Sequence, residues 1–218
     1  MADLTYPEIE VGALEPKAPK TNLNNLLNLL GYIISLGTSY MGGVAGWFGG
    51  TPNIELGSTY QTLITPRASF FGYVWGAIFL SEGFFAMAQL LPKYRAQPLV
   101  QDGVGIIFFL AVCWQMAWTI TFGFEMMIPA FISMFALLIS LLMIVFWRQW
   151  AIVKVETAAE EREEDLAAHP PRLPYWLLRF PFAIHAGWIS VITPLMLTVV
   201  LVKEGETIFI YARIELKC

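Results

Sequence analysis

Apolar residues in this chain fall into five long runs, not into the alternating pattern of a half-buried strand or the one-sided stripe of a surface helix. The runs extend from Leu26 to Phe48, Ser69 to Leu91, Gly103 to Phe122, Met126 to Trp147 and Phe180 to Val202. A helix rising about 1.5 Å per residue needs about 20 mostly apolar residues to cross a hydrocarbon core about 30 Å thick. Each run meets that length. Continuous apolarity without alternation favours helices over a barrel. The expected fold class is therefore all-α, an integral membrane bundle of five transmembrane helices.

Polar positions mark the connections. Only Gly123, Phe124 and Glu125 separate the third and fourth runs, so those two helices should be antiparallel neighbours joined by a tight turn. Residues 49–65 read as a Gly/Thr/Asn-rich loop and Pro92 to Asp102 as a short polar link. The connection 150–179 opens with Glu156, Glu160, Glu161, Glu163, Glu164 and Asp165 among alanines, which predicts a solvated helical extension ended by His169, Pro170 and Pro171. The organisation expected is a polar N-terminal arm (1–24), a five-helix domain (25–202) carrying the acidic connection, and a C-terminal tail (203–218).

Composition agrees with a bilayer as solvent: 57% of the 218 residues are hydrophobic and 14% charged, well below the charge of a typical soluble domain. A net charge of −4 excludes a nucleic-acid binder working through a basic surface. Lys and Arg are split unevenly. With five spans, the side holding the N-terminus carries Lys17, Lys20, Lys93, Arg95, Arg148, Lys154, Arg162, Arg172 and Arg179, and the other side Arg67, Lys203, Arg213 and Lys217. That bias predicts the N-terminus on the cytoplasmic or stromal side. Asp3, Glu8, Glu10 and Glu15 make the first twenty residues unlike a signal or transit peptide. Cys113 lies inside a span and Cys218 ends the chain, which argues against a disulfide between them.

Ionisable and amide groups at membrane depth are the candidate chemistry. Glu82, in the second run, reads as a carboxyl tying helices together. Gln115, in the third, reads as an interhelical hydrogen-bonding group. His185, in the fifth, is either another such group or a ligand to the metal of a haem or chlorophyll, a role also open to Glu82. No Ser-His-Asp, HExxH, CxxC or phosphate-loop pattern is present, so no enzyme is expected. Trp47, Trp147, Trp150 and Trp176 fall near the interfaces, where a bilayer's aromatic belt places them. Trp75, Trp114, Trp118 and Trp188 fall inside the runs. Trp114 and Trp118, four apart with Gln115 beside them, make either a packing face or an aromatic wall for a flat apolar ligand. Gly42 and Gly46 fit a small-xxx-small contact, compatible with a homodimer or a larger assembly.

Pro66, Phe71, Gly72, Val74, Trp75 and Phe79 resemble the loop-to-second-helix signature of the TspO/MBR family, the tryptophan-rich sensory and translocator proteins, in its divergent bacterial or algal form. Trp114 to Phe122 is similar to that family's third helix, and Phe180 to Ser190, with Pro181-Phe182 and Gly187-Trp188, to its fifth. The sequence departs at Arg67, where the family has a second proline, at Gln115, where Asn is common, and at Pro194 to Met196, where a late Asn is expected. The resemblance implies a pocket, covered by the first loop, for a planar lipophile: a tetrapyrrole (porphyrin or chlorophyll) or a sterol. On that analogy Phe71, Trp75, Phe79, Trp114, Trp118 and Trp188 line it, Gln115 and His185 supply polar contacts, and Pro194 bends the fifth helix. The alternative is an accessory or linker subunit of a large membrane complex, an algal photosystem–light-harvesting assembly above all, in a thylakoid; mitochondrial or bacterial membranes are the other settings. Loss of the amides and the long polar arm favour that alternative.

Overall fold

The computed structural model describes the backbone of residues 20–60, 68–154 and 172–215, and within these the side chains of 20–60, 70–154 and 175–205. The polar arm up to residue 19, the acidic stretch 155–171, Pro66, Arg67 and the last three residues lie outside the described residues. All regular elements among the described residues are helical. They are α1 (Leu23–Thr38), α2 (Asn53–Thr59), α3 (Ala68–Ala88), α4 (Pro92–Arg95), α5 (Ile107–Gly123), α6 (Met127–Leu142), α7 (Arg172–Leu178) and α8 (Phe180–Glu215). Three π-helical stretches join this series at Ser39–Val44, Leu99–Val104 and Met143–Gln149.

Three helices, Phe70–Ala88, Met127–Lys154 and Phe180–Gly205, are long and apolar enough to cross a membrane, and Ile107–Gly123 is a shorter apolar helix. The five longer helices close a ring in the order α1, α5, α6, α8, α3. The predicted turn at Gly123–Glu125 is present, with Glu125 at φ 56°, and α5 packs more extensively on α6 than on any other element.

α1 is inside out by the standard of a water-soluble helix. Asn25, Asn28, Gly31 and Ser35 are buried, whereas Leu26, Leu30, Ile33 and Ile34 face outward. In lipid the apolar side chains lose nothing by facing out, and small residues let backbones approach. At Gly31 a Cβ would stand 2.8 Å from the Phe109 ring and 2.9 Å from Val112 of α5. Asn22 caps the helix: its side chain accepts from the Asn25 N–H and the Asn25 side chain accepts from the Asn22 N–H. Asn25 and Asn28 then donate to Gln89 Oε1, and Asn28 also to the Gly105 carbonyl. A polar clasp thus fixes the start of α1 against the end of α3 and the entry to α5.

Several expectations need correction. The 49–65 loop contains α2, started by Pro52, which cannot donate a backbone bond and so suits a helix entry. The link 92–102 is not simply polar: α4 and the Leu99–Val104 π stretch run through it, and Leu99 and Val100 are buried beside Gly103 and Val104. Gly42 and Gly46 do not share one helix face. Gly42 makes room for Phe48, and Gly46 lies past the helix at φ 66° in the turn before α2. The fifth run continues as helix well past Val202, through Pro194. Trp47, Trp147, Trp150 and Trp176 are each more than half exposed, as belt residues should be.

Candidate functional site

The ring encloses a cavity of about 470 Å³. One wall is α3, which presents Phe71, Trp75 and Phe79 at helical intervals of four, with Gly72 and Gly76 between them. The facing wall is α5, with Gln115, Trp118, Thr119 and Phe122. Ile192, Leu195, Met196 and Val199 of α8 form the apolar floor, and Ser39, Gly43 and Val44 of the first π stretch complete the circuit. α2 covers the opening with Asn53, Leu56, Gly57 and Tyr60.

Aromatic stacking sets the cavity's shape. Trp75 stacks on Trp118 across the bundle with ring centroids 5.8 Å apart and planes 21° from parallel. Phe79 extends the stack on one side, at 5.8 Å from Trp75, and Phe122 on the other, at 5.5 Å from Trp118. Near-parallel faces of this kind present flat apolar surface.

Of the eight residues expected at the site, Phe71, Trp75, Phe79, Gln115 and Trp118 line the cavity. Trp188 and His185 do not. They stand behind Trp75, each edge-on to it at 6.4 and 5.7 Å, and Trp188 also supports Phe71 at 5.3 Å. Trp114 faces away, 39% exposed against 7% for Trp118. Residues four apart on a helix differ by about 40° in direction, and here that rotation separates an inward ring from an outward one.

Glu82 and His185 form a buried pair. Glu82 Oε1 and His185 Nδ1 are 2.6 Å apart, with both residues 1% exposed. This bond ties α3 to α8 directly behind the aromatic wall. Neither residue is among those lining the cavity, and the pair ties the two helices together. His185 Nε2 makes no hydrogen bond. No group of three or more His, Cys, Asp or Glu able to hold a metal occurs among the described residues.

The cover is fastened at both ends to the α5–α6 turn. At its start the Thr51 N–H donates to the Gly123 carbonyl at 2.8 Å, and Gly50 lies so close that a Cβ there would stand 2.8 Å from that same oxygen. At its end the Tyr60 hydroxyl donates to Glu125 Oε2 at 2.7 Å. Lys203 of α8 completes the latch, donating to the Glu125 carbonyl at 2.6 Å and standing 3.6 Å from its carboxylate. Sequence reasoning missed α2, its latch and the Ser39–Val44 contribution. The one signal for α2 was Pro52 followed by Ile54 and Leu56 in a segment otherwise rich in turn residues.

A family model described as TSPO-like protein matches residues 25–214. Comparison with curated proteins and with solved structures returned no match.

Proposed function

Because the chain belongs to the TSPO-like protein family, a membrane protein of TspO type, we propose that it crosses the membrane five times and binds a planar lipophilic ligand in the cavity between its helices. In this reading α1, extended by Ser39–Val44, and α5 join the three longer apolar helices as spans. The N-terminus lies on the cytoplasmic or stromal side, following the Lys/Arg bias. The ligand is a tetrapyrrole or a sterol-like molecule, and the role is binding, carriage or sequestration without catalysis.

The observation that carries the proposal is the Trp75–Trp118 stack, flanked by Phe79 and Phe122, walling a cavity whose volume lies within the usual range of about 300–1,000 Å³ for small-molecule sites. A flat apolar ring system matches these faces, and the covering helix α2 keeps it from water. An accessory-subunit role draws on the polar arm and on amide loss. The arm lies outside the described residues, and Gln115 brings an amide to the cavity lining, so the binding role has more support.

Titration of the purified protein with protoporphyrin IX dimethyl ester tests the reading. Saturable quenching of tryptophan fluorescence is expected, with Trp118→Ala weakening affinity about tenfold, equivalent to about 1.4 kcal/mol. A linker subunit would show no saturable quenching and would migrate with a large pigmented complex on a native gel.

A further inference from the structure

Arg148 stands half-buried where the Met143–Gln149 π stretch packs against the Leu99–Val104 stretch at the entry to α5. Of its two chain neighbours Trp147 is 75% exposed and Gln149 is buried, so it lies at the border between the outer surface and the bundle. Gly105 gives the guanidinium its seat. A Cβ there would stand 3.2 Å from Nη1 and 3.4 Å from Nη2, and φ is 52°, a backbone that glycine accepts readily. The seat is held in turn by α1, since the Gly105 carbonyl accepts from the Asn28 side chain. The ion pairs among the described residues are Glu82–His185 and Lys203–Glu125, so no acid there neutralises Arg148.

Within the five-span reading, a cation without a counter-charge belongs at headgroup level. α5 sets that level. Its seventeen residues span about 25 Å, short of a hydrocarbon core of about 30 Å, so its entry lies at the hydrocarbon boundary. From that entry an apolar stripe runs along the outer face of α5. Leu110 and Trp114, four apart and so on one face, are 46% and 39% exposed. Trp147 and Trp150, exposed beside Arg148, are of the type that marks an interface. A cation at the boundary with an apolar stripe leading away from it complements a molecule with a phosphate at one end and a hydrocarbon chain at the other.

We infer that Arg148 and the outward face of α5 bind one anionic phospholipid, at a site separate from the cavity. The inference takes only the five spans from the function proposed above and nothing from the cavity's ligand. The guanidinium donates in parallel to two phosphate oxygens, and an acyl chain lies along Leu110 and Trp114. An anionic headgroup is preferred to a choline headgroup, which carries its own cation and leaves the guanidinium uncompensated. The Lys/Arg bias places the site in the cytoplasmic leaflet, where anionic lipids give the surface its negative potential. A free phosphate ester offers the same anion but no chain for the stripe.

Purified full-length protein in detergent, stripped of lipid, is titrated with dioleoyl phosphatidylglycerol or dioleoyl phosphatidylcholine and read by native mass spectrometry. One saturable phosphatidylglycerol adduct is expected, bound about fivefold or more tightly than phosphatidylcholine. Arg148→Gln should bring that preference to within about twofold. Lys93→Gln, which removes an equal charge from an exposed position on the same side, should leave it intact. Glycerol 3-phosphate in large excess should not displace the adduct, and Trp114→Ala should weaken it. No saturable adduct in the unaltered protein, as would follow if the acidic residues from Glu156 to Asp165 covered Arg148, overturns the inference. So does a preference that Arg148→Gln retains or Lys93→Gln equally abolishes, displacement by glycerol 3-phosphate, or indifference to Trp114→Ala. Tryptophan quenching by protoporphyrin IX dimethyl ester reads the cavity separately. Arg148→Gln should leave it unchanged, and its loss in that variant overturns the separateness of the two sites. Its absence from the unaltered protein overturns the cavity's role and leaves the lipid site standing.

Discussion

Trp75 is the residue on which the site turns, because it touches both the cavity and the pair behind it. It stacks on Trp118 and meets His185 and Trp188 edge-on. The Glu82–His185 bond therefore supports the wall from outside the cavity lining. Removing one partner leaves the other buried with its hydrogen bond unmade, a cost of about 1–3 kcal/mol. Glu82→Leu and His185→Leu are each expected to lower stability in detergent by that amount, while the double variant costs less than the two single losses added together, as a double-mutant cycle on thermal unfolding will read. At this scale the sequence was most legible where residue type is decisive. Glu82, Gln115 and His185 were identifiable as buried because charge and amide groups within apolar runs have nowhere else to go. That Glu82 and His185 meet, and that Trp114 turns outward, depend on helix rotation, which an apolar run without one-sided patterning does not specify.

Among the elements, α2 is the one the sequence concealed. Seven residues among glycines and threonines carry no periodic signal, and the helix is held by contacts to the α5–α6 turn and not by its own propensity. The exposed Lys203–Glu125 pair alone contributes little, within about 1 kcal/mol, so the tight seat of Gly50 against Gly123 carries weight. Gly50→Ala should push the cover off its seat and speed release of a bound porphyrin ester at least threefold in stopped-flow measurement. A comparable substitution in open space provides the control. Gly187→Ala, on the exposed side of α8 where a Cβ meets nothing within 4 Å, should raise stability by about 0.5–1 kcal/mol through helix propensity. The long helices were legible from run length, and the three π stretches were not, since they preserve composition and change only the backbone register. One of them turns Ser39, Gly43 and Val44 onto the cavity.

For the whole molecule, length and apolarity specified a helical membrane bundle, but the circular order of helices is invisible in a linear pattern. The short 123–125 turn was the exception: it fixed α5 beside α6. The five-span reading proposed above puts the two ends of this sequence on opposite sides, so it predicts that a reporter at the N-terminus is protected, and one at the C-terminus reached, by a protease added from the non-cytoplasmic face. The ring order also sets a timetable for assembly. α3 is made before α8, against which it packs, and Glu82 precedes its partner by 103 residues. At about 5–20 residues per second that interval is about 5–20 s, during which a carboxyl sits in the membrane without its imidazole. A chain ended after Arg179 should then be cleared by membrane quality control, and Glu82→Leu in that truncated chain should lengthen its half-life in a pulse-chase experiment. The Glu82–His185 bond can form only once α8 has been made, so its presence reports that α3 and α8 have met.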